Sequence, residues 1–350
     1  MIKRRKTRAV KVGSVIIGGD APVSVQTMTN TDTSDVVATV RQIKQVTKVG
    51  CDLVRVAVPD MAAAKALGQI KAQIDIPLIA DIHYDYRLAL EAIKQGIDKL
   101  RINPGNIGSA DRVKAVVTAS KAARVPIRIG VNMGSLEKPL LKRYGRTARA
   151  MVHSALRHIK ILEKYGFKDT IVALKASDVE RTVQAYRLLA EKVDYPFHVG
   201  VTEAGTVFAG TIKSSIGIGS LLLDGIGDTI RVSLTGSLVK EVAVGREILR
   251  SLNLRRDGVS ITSCPTCGRS TFDVEKIANS LESKLQYVKK PLHLAVMGCV
   301  VNGPGEAAEA DLGITGTKNQ VVIFKKGKVY KKVAHSQAED FLVAEIRKLL

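Results

Sequence analysis

Three of the four cysteines of this chain lie close together near its C-terminal end. Cys264 and Cys267 form a C-x-x-C pair, Cys299 follows 32 residues after Cys267, and Cys51 stands alone far upstream. The Gly-Pro-Gly turn that follows Cys299 can fold the chain back and bring Glu306 toward the same centre. Three thiols and a carboxylate in this pattern indicate a metal site.

The kind of metal depends on which fourth ligand is available. A structural zinc site normally has four Cys or His ligands, and the nearest histidine, His293, lies six residues before Cys299 on an apolar run that predicts a strand. At about 3.3 Å per residue, His293 would be roughly 20 Å from Cys299. Thiolates with one weaker oxygen ligand therefore favour an iron-sulfur cluster. A zinc site and three ordinary buried cysteines stay open as alternatives.

Four arginines occupy equivalent places in four apolar segments. Apolar residues flank each of them on both sides: Arg55, Arg101, Arg128 and Arg231. With the period of two of a strand, the flanking residues face outward and the arginines face the axis of a barrel. Such arginines repel one another unless an anion lies between them, and a guanidinium group binds phosphate oxygens with two hydrogen bonds. The inward acids that could pair with them instead are few, namely Asp81 and Glu203.

Further polar residues follow the same alternation near the predicted C-terminal ends of the strands, where barrel enzymes have their active sites. They predict a pocket for a small, hydroxyl-bearing polyanion. These residues are Gln26, His83, Asn103, Asn132, Lys175, Glu203 and Ser233. Among so many cations Glu203 would be ionised, and it could exchange a proton with a bound substrate.

Short apolar runs alternate with helix-like stretches from residue 22 to residue 235. This alternation is typical of parallel βαβ units and predicts an α/β fold, a (β/α)8 TIM-type barrel followed by a small α+β iron-sulfur domain. The predicted domains are a substrate-binding barrel at 1–252, a linker at 253–258 and the cluster domain at 259–350. The predicted barrel strands are 22–29, 53–59, 77–84, 99–105, 127–134, 170–177, 196–205 and 229–235.

Composition restricts the possible partners. The formal net charge of +21 suggests nucleic acid, but aromatic residues make up only 4% of the chain and leave few stacking platforms. We therefore expect no nucleic-acid partner. No apolar run predicts a membrane span or a secretory signal, so we also expect no membrane partner. The cysteine pattern fits the reducing cytoplasm, with Cys51 as a core residue.

Seven short stretches, spread along nearly the whole chain, carry a family resemblance. They are GGDAP at 18–22, VQTMTNT at 25–31, ADIH at 80–83, RINPGN at 101–106, VTEAG at 201–205, CPTCGR at 264–269 and GCVVNGPGE at 298–306. Together they resemble the 4-hydroxy-3-methylbut-2-enyl diphosphate synthase family of the methylerythritol phosphate pathway, in its compact two-domain bacterial form.

The resemblance implies a reaction and roles for named residues. The family reductively opens 2-C-methyl-D-erythritol 2,4-cyclodiphosphate, removes a hydroxyl group and forms (E)-4-hydroxy-3-methylbut-2-enyl diphosphate with two electrons and two protons. The resemblance implies a [4Fe-4S] cluster held by Cys264, Cys267, Cys299 and Glu306, and it implies Glu203 as the proton donor. It further implies that the diphosphate is held by Arg55, Arg101, Arg128, Lys175 and Arg231 and receives hydrogen bonds from His83, Asn132 and Ser233.

The same resemblance implies the partners of the chain. They are the cyclic diphosphate substrate, ferredoxin or flavodoxin as electron donor, and a second copy of the chain in a head-to-tail homodimer. Two other classes of protein explain part of the pattern. A non-redox phosphate-binding barrel enzyme of the pterin-binding type, with a structural zinc site, would have a similar anion pocket, and an RNA-binding protein would have a similar net charge.

Overall fold

The computed structural model describes residues 2–350 and divides them into two compact units, one ending at Arg255 and the other beginning at Arg256. The first unit is an eight-stranded parallel barrel with helices, and the second contains a five-stranded sheet. The predicted α/β class is therefore confirmed. No helix within the described range is long and apolar enough to cross a membrane.

A two-stranded hairpin at the start of the chain closes one end of the barrel. It consists of β1 (Val10–Val12) and β2 (Val15–Ile17), joined by a turn in which Gly13 has a φ of 55°. Glycine adopts this left-handed backbone without steric cost. The hairpin side chains Val10, Val12 and Ile17 pack in one buried cluster with Leu53, Ile79 and Ile171, the deepest inward residues of three barrel strands. The sequence pattern did not predict this hairpin.

Eight parallel strands form the barrel wall. They are β3 (Ser24–Met28), β4 (Leu53–Ala57), β5 (Leu78–Asp81), β6 (Lys99–Arg101), β7 (Ile127–Asn132), β8 (Thr170–Lys175), β9 (His198–Val199) and β10 (Thr229–Ile230). Their spatial order is β8-β7-β6-β5-β4-β3-β10-β9, and a bridge between Val172 and Phe197 brings the two ends of this order together. Each strand is shorter than predicted, because the apolar pattern continues into buried loops beyond the hydrogen-bonded ladder.

Helices follow the strands on the outside of the barrel. They are α1 (Val36–Lys48), α2 (Met61–Lys71), α3 (Tyr86–Lys94), α4 (Ala110–Ala123), α5 (Lys138–Tyr144), α6 (Ala148–Lys164), α7 (Val179–Ala190), α8 (Val207–Leu223) and α9 (Leu238–Ser251), with 3-10 turns at Pro104–Asn106 and Met133–Ser135. Asp35, Asp60 and Asp178 cap their helices by accepting a backbone N–H bond in the first turn. Because the strands are parallel, all their C-terminal ends lie at one end of the barrel.

The second unit is a mixed sheet with helices. Its strands are β11 (Val259–Ser263), β12 (Leu292–Met297), β13 (Leu312–Gly316), β14 (Val321–Lys325) and β15 (Lys328–Val333), and its helices are α10 (Val274–Leu285), α11 (Gly303–Glu309) and α12 (Ala338–Leu349), with a 3-10 turn at His335–Gln337. The strands pair in sequence order; β11, β12 and β13 are parallel, and the last two are antiparallel to their neighbours. Leu281, Leu294 and Ile314 are fully buried in its core.

Candidate active site

A cavity of about 120 Å³ lies at the C-terminal ends of the barrel strands. Residues from seven strands or the loops after them reach it, as period-two alternation requires. Its lining consists of Arg55, Asp81, His83, Arg101, Arg128, Gly130, Asn132, Ala173, Lys175, Thr202, Arg231 and Ser233. The structure thus brings together all eight residues that were predicted from the sequence to bind substrate.

Positive charge dominates this cavity. Four arginines and Lys175 line it, and Asp81 is the only carboxylate in the lining. Arg101 Nη1 donates to Asp81 Oδ1 at 2.9 Å, and Arg55 Nε lies 3.8 Å from Asp81 Oδ2. Arg128 is 1% exposed, and its Nε and Nη2 atoms have no hydrogen-bond partner within the described chain. The cavity therefore has several unused donors for an anionic ligand.

Burial disfavours the charged forms of these side chains unless an anion lies among them. Burial lowers the pKa of Arg55 to about 9, although Asp81 opposes the change and Arg231 adds to it. Burial, with repulsion from Arg128 and Arg231, also lowers the pKa of Lys175 well below its usual value. A phosphate group among these side chains would stabilise their charged forms, as expected for a phosphate site.

Asp81 is the acid that allows the arginines to be packed together. Burial alone would raise its pKa, but Arg55, a hydrogen bond from His83 and Arg101 outweigh burial and hold the pKa well below its usual range. A carboxyl group whose pKa is lower in the folded than in the unfolded chain stabilises the folded state. This stabilisation is fully present at pH values above the unfolded-state pKa of about 3.9, and it is lost as the pH falls through the folded-state pKa. Asp81 therefore stabilises the barrel at neutral pH.

We expect Asp81→Asn to lower the free energy of unfolding by about 3 to 5 kcal/mol at pH 7, because it leaves buried arginines without their carboxylate. The difference in the free energy of unfolding between Asp81→Asn and wild type should be smaller in urea at pH 3. At that pH the wild-type carboxylate takes up a proton on unfolding, so the wild type itself is less stable. Asp224→Asn is the matched control, since Asp224 pairs with Arg187 on the surface and should change stability by less than about 1 kcal/mol. Equal stability of Asp81→Asn and wild type at pH 7 would contradict this role.

Neutral polar groups lie in and beside the cavity, and two of them, His83 and Asn103, are already engaged with neighbouring groups. Asn103 donates to Gly130 O and accepts from Gly130 N, both at 2.9 Å, so its amide joins β6 to β7 and does not line the cavity. A side chain at Gly130 would meet Arg101 Nε at 2.5 Å, so the glycine leaves room for that guanidinium. His83 is half-exposed and contacts both Asp81 and Arg101 through Nε2.

The inward placement predicted for Glu203 is wrong. Strand β9 ends at Val199, the strict alternation of a strand ends with it, and Glu203 lies exposed on the following loop with a φ of 51°. Its neighbour Thr202 lines the cavity instead. A left-handed backbone is uncommon for a residue other than glycine, and such strain concentrates at functional sites. Glu203 therefore lies next to the cavity in sequence without lining it.

A second buried acid was not predicted from the sequence. Glu241, which is 3% exposed in the first turn of α9, lies 3.7 Å from Arg231 Nη2. It also accepts from Thr27 Oγ1 at 2.6 Å and from Leu234 N at 2.9 Å. Glu241 belongs to the helix layer, so the alternation of inward strand positions does not reveal it. Its position in the helix that follows Arg231 was the only available signal.

The thiols occupy loops at one edge of the second unit. Cys264 follows β11 and Cys299 follows β12, and these two strands are parallel neighbours. Gly298 N donates to Cys264 Sγ at 3.2 Å, which ties the two loops together. Cys267 is exposed, and Glu306 is exposed in the first turn of α11. The β-branched Thr266 inside the C-x-x-C turn has a φ of 55°, a strained backbone of the kind found at functional sites.

Within residues 2–350, no three His, Cys, Asp or Glu side chains are arranged to hold a single metal ion. The four predicted ligands nevertheless lie on loops that follow adjacent parallel strands or, for Glu306, on the helix after Cys299. Thiolates are the usual ligands of iron-sulfur clusters, and a carboxylate can supply one weaker oxygen ligand. The donor set therefore fits a polynuclear cluster better than one closed zinc ion.

Fold and site together define an α/β-barrel enzyme with a cationic pocket, followed by a thiol-bearing unit. The chain belongs to the GcpE family: the profile of the GcpE TIM-barrel domain matches residues 7–246, and that of the GcpE protein C-terminal domain matches residues 260–348. A protein of Thermodesulfovibrio yellowstonii is 59% identical over 99% of this chain and 100% of its own length. One of Caldanaerobacter subterraneus is 58% identical over 100% of this chain and 99% of its own length.

Both relatives are named 4-hydroxy-3-methylbut-2-en-1-yl diphosphate synthase (flavodoxin). The family resemblance found in the sequence motifs is therefore confirmed, and the alternative of a pterin-binding enzyme is not favoured. Dihydropteroate synthase from Xanthomonas albilineans, solved with 7,8-dihydropteroate, superposes with a TM-score of 0.50 at 14% identity, over 70% of this chain and 97% of that chain. This likeness shows the barrel fold alone.

Proposed function

We propose that the chain catalyses the reductive ring opening and dehydroxylation of 2-C-methyl-D-erythritol 2,4-cyclodiphosphate to (E)-4-hydroxy-3-methylbut-2-enyl diphosphate. One observation carries the proposal: five cationic side chains and one carboxylate surround a cavity of about 120 Å³ at the catalytic end of the barrel. The names of the relatives, which match along their whole length, support the same activity.

The chain's own residues bind and polarise the substrate. Arg55, Arg101, Arg128, Arg231 and Lys175 bind the two phosphate groups, and their charge stabilises the phosphate oxygen that becomes more negative as the ring C–O bond breaks. Hydrogen bonds from His83, Asn132 and Ser233 orient the phosphates. Asp81 fixes the guanidinium groups of Arg55 and Arg101 before the substrate arrives, so that little reorganisation is needed on binding.

We propose that Cys264, Cys267, Cys299 and Glu306 hold a [4Fe-4S] cluster. The three thiols and the Gly298 N–H bond to Cys264 Sγ at 3.2 Å support this assignment, because backbone donors to sulfur help to set cluster potentials. A bound cluster supplies the single electrons that the reduction needs. Glu306, as the weakest ligand, is the catalytic member of the set.

We propose Glu203 as the proton donor. Its strained backbone and its place next to Thr202, which lines the cavity, support this role. The side chain is exposed and outside the cavity lining, so a change of loop conformation or side-chain rotamer would bring it to the substrate. Such closure on binding is common in barrel enzymes and excludes water from the reacting atoms.

Glu203→Gln separates proton transfer from binding, since the amide keeps the shape of the side chain but has no acidic proton. We expect unchanged substrate affinity and a fall in turnover of about 100-fold or more. Glu180→Gln, an exposed glutamate on α7, is the matched control and should keep wild-type turnover. Near-normal product formation by Glu203→Gln would assign the proton to another group.

Electron supply and assembly are further proposals. The names of both relatives include flavodoxin, and we propose flavodoxin as the electron donor in a reducing cytoplasm, with ferredoxin as the other candidate of this class. The cavity is lined by residues of the first unit alone, and all three clustered thiols belong to the second. We propose that a head-to-tail homodimer brings the second unit of one copy to the barrel of the other.

The proposed activity is tested with protein purified without oxygen, reduced with dithionite and mixed with the cyclic diphosphate. Phosphorus NMR should show the two resonances of the ring replaced by those of a linear diphosphate ester. Mass spectrometry should show the loss of one oxygen atom. Persistence of the cyclic compound with a fully loaded, reduced protein would refute the proposal.

A further inference from the structure

A second ring of polar side chains lies deeper in the barrel than the cavity. Lys99 precedes Arg101 by two residues on β6, so it faces the same interior about 6.6 Å farther from the mouth. His198, Thr229 and Ser24 stand opposite one another on β9, β10 and β3. Beneath this ring, the N-terminal hairpin and its apolar cluster close the barrel.

The members of this ring are buried and have unused hydrogen-bonding atoms. Lys99 and His198 are 0% exposed and Arg128 is 1% exposed. The atoms without a partner among the described residues are Ser24 Oγ, both amide atoms of Gln26, Lys99 Nζ, Arg128 Nε and Nη2, His198 Nδ1 and Thr229 Oγ1. Buried polar groups are almost always hydrogen-bonded, so the atoms of this ring need partners from bound water or a bound ligand.

Charge identifies that ligand as an anion. The barrel interior contains six cationic side chains, and the two nearby carboxylates are those of Asp81 and Glu241. The cations are Arg55, Lys99, Arg101, Arg128, Lys175 and Arg231. A cyclic diphosphate carries one ionised oxygen on each phosphorus atom, so cations remain in excess even with substrate bound.

The donors in the ring converge from three strands. Lys175 Nζ lies 3.2 Å from His198 Nε2, and because a lysine nitrogen has donors in either protonation state, Nε2 accepts and the ring proton belongs on Nδ1. Nδ1–H therefore has no acceptor among the described residues. Burial and repulsion from Lys175, Arg128 and Lys99 lower the pKa of His198 well below its usual value, which places these cations in the same interior. Burial and repulsion from Arg128 and Arg55 lower the pKa of Lys99 well below its usual value, as expected for an ammonium group without a counter-ion.

We propose that Lys99, Arg128 and His198 form an internal binding site for a small inorganic anion, of the size of a halide ion, beneath the substrate cavity. The anion neutralises Lys99 and completes the hydrogen bonds of the ring, with Arg128 shared between the anion and the diphosphate because it also lines the substrate cavity. Arg55, Arg101 and Arg231 remain available for the diphosphate. The proposal rests on the proposed function only through the charge of the substrate and the shared Arg128. Binding of the anion requires neither the cluster nor turnover.

Crystals of the full-length protein grown in sodium bromide give the most direct test. We expect an anomalous difference peak within about 3.5 Å of Lys99 Nζ, at hydrogen-bonding distance from Arg128 and His198. Crystals of Lys99→Met under the same conditions should lack that peak. An interior filled only by water, or one without any bromide peak in the wild type, would overturn the proposal whatever the enzyme catalyses.

Thermal unfolding gives an independent readout at constant ionic strength, with bromide replacing gluconate. The wild-type Tm should rise with the logarithm of the bromide concentration above Kd, by about 5 °C at one hundred times Kd. Lys99→Met should be as stable as wild type or more stable in gluconate, since it removes an uncompensated buried charge, and its Tm should not respond to bromide. Lys160→Met, an exposed lysine on α6, is the control and should respond like wild type. An equal bromide response in Lys99→Met would contradict the site.

Discussion

Replacing any one of Cys264, Cys267 or Cys299 by Ser is expected to abolish the bound iron and to reduce activity by more than about 100-fold. Each thiolate would be a cluster ligand, and a serine hydroxyl is a poor ligand for iron because it is protonated at neutral pH. The barrel should stay folded, because these residues lie in a separate compact unit. Iron and sulfide are measured per chain after anaerobic purification, together with circular dichroism.

Cys51→Ser is the matched control for this series. Cys51 is 4% exposed among apolar side chains of the first unit, and burial raises the pKa of its thiol to about 12. The clustered thiols belong to the other unit, so we expect Cys51 to bind no iron. This variant should keep full iron content and lose only packing stability. Full iron retention by any of the other three variants would refute the ligand assignment.

Replacing Arg55, Arg101, Arg128 or Arg231 by Leu is expected to weaken substrate affinity by about 30-fold to 1000-fold and to leave the cluster spectrum unchanged. Removing a charge-assisted hydrogen bond from a buried site costs about 2 to 4 kcal/mol of binding free energy. Affinity is measured by titration calorimetry with the cyclic diphosphate and oxidised protein, so that turnover does not interfere.

The corresponding lysine variants test the geometry of these contacts. Arg128→Lys keeps the charge but loses the fork that holds two phosphate oxygens, so its affinity should lie between those of wild type and Arg128→Leu. Arg187→Leu removes an exposed arginine that pairs with Asp224 on the surface and serves as the control. Unchanged affinity in all four leucine variants would contradict a phosphate site in this cavity.

The arginine cavity was predictable because its signal is local. In a strand that is buried on both faces, an arginine between two apolar residues can face only the barrel axis, and four such triplets point at one place. Lys99 carries the same signal, since it shares the alternation of Arg101. It was not predicted because it lies at the N-terminal end of its strand, whereas barrel active sites lie at the C-terminal ends.

The errors arose where tertiary structure overrides local pattern. Glu203 was assigned inward by extending strand alternation four residues beyond the end of β9 at Val199. The hairpin formed by β1 and β2 had a short Gly-Ser turn as its only local signal, and its position depends on contacts with distant Leu53 and Ile171. Glu241 reaches the barrel from a helix, which strand alternation does not describe.

In the second unit, too, the candidate ligands were predictable from local sequence, whereas the strand pairing that positions them was not. The C-x-x-C spacing and the Gly-Pro-Gly turn identify the candidate ligands from sequence alone. The parallel pairing of β11 with β12, which brings the loops of Cys264 and Cys299 side by side, joins segments about thirty residues apart. Pairing at such separations depends on the whole sheet and is not encoded in either strand.

The central claim is that the cationic cavity and the thiol-held cluster act on the same substrate molecule. Electron paramagnetic resonance of the anaerobically reduced protein, recorded with and without saturating cyclic diphosphate, tests it most directly. The account predicts that substrate shifts the g-values of the reduced cluster in wild type, and that Arg128→Leu shows no shift at the same substrate concentration. A cluster spectrum that stays unchanged while calorimetry shows the substrate bound would contradict the claim.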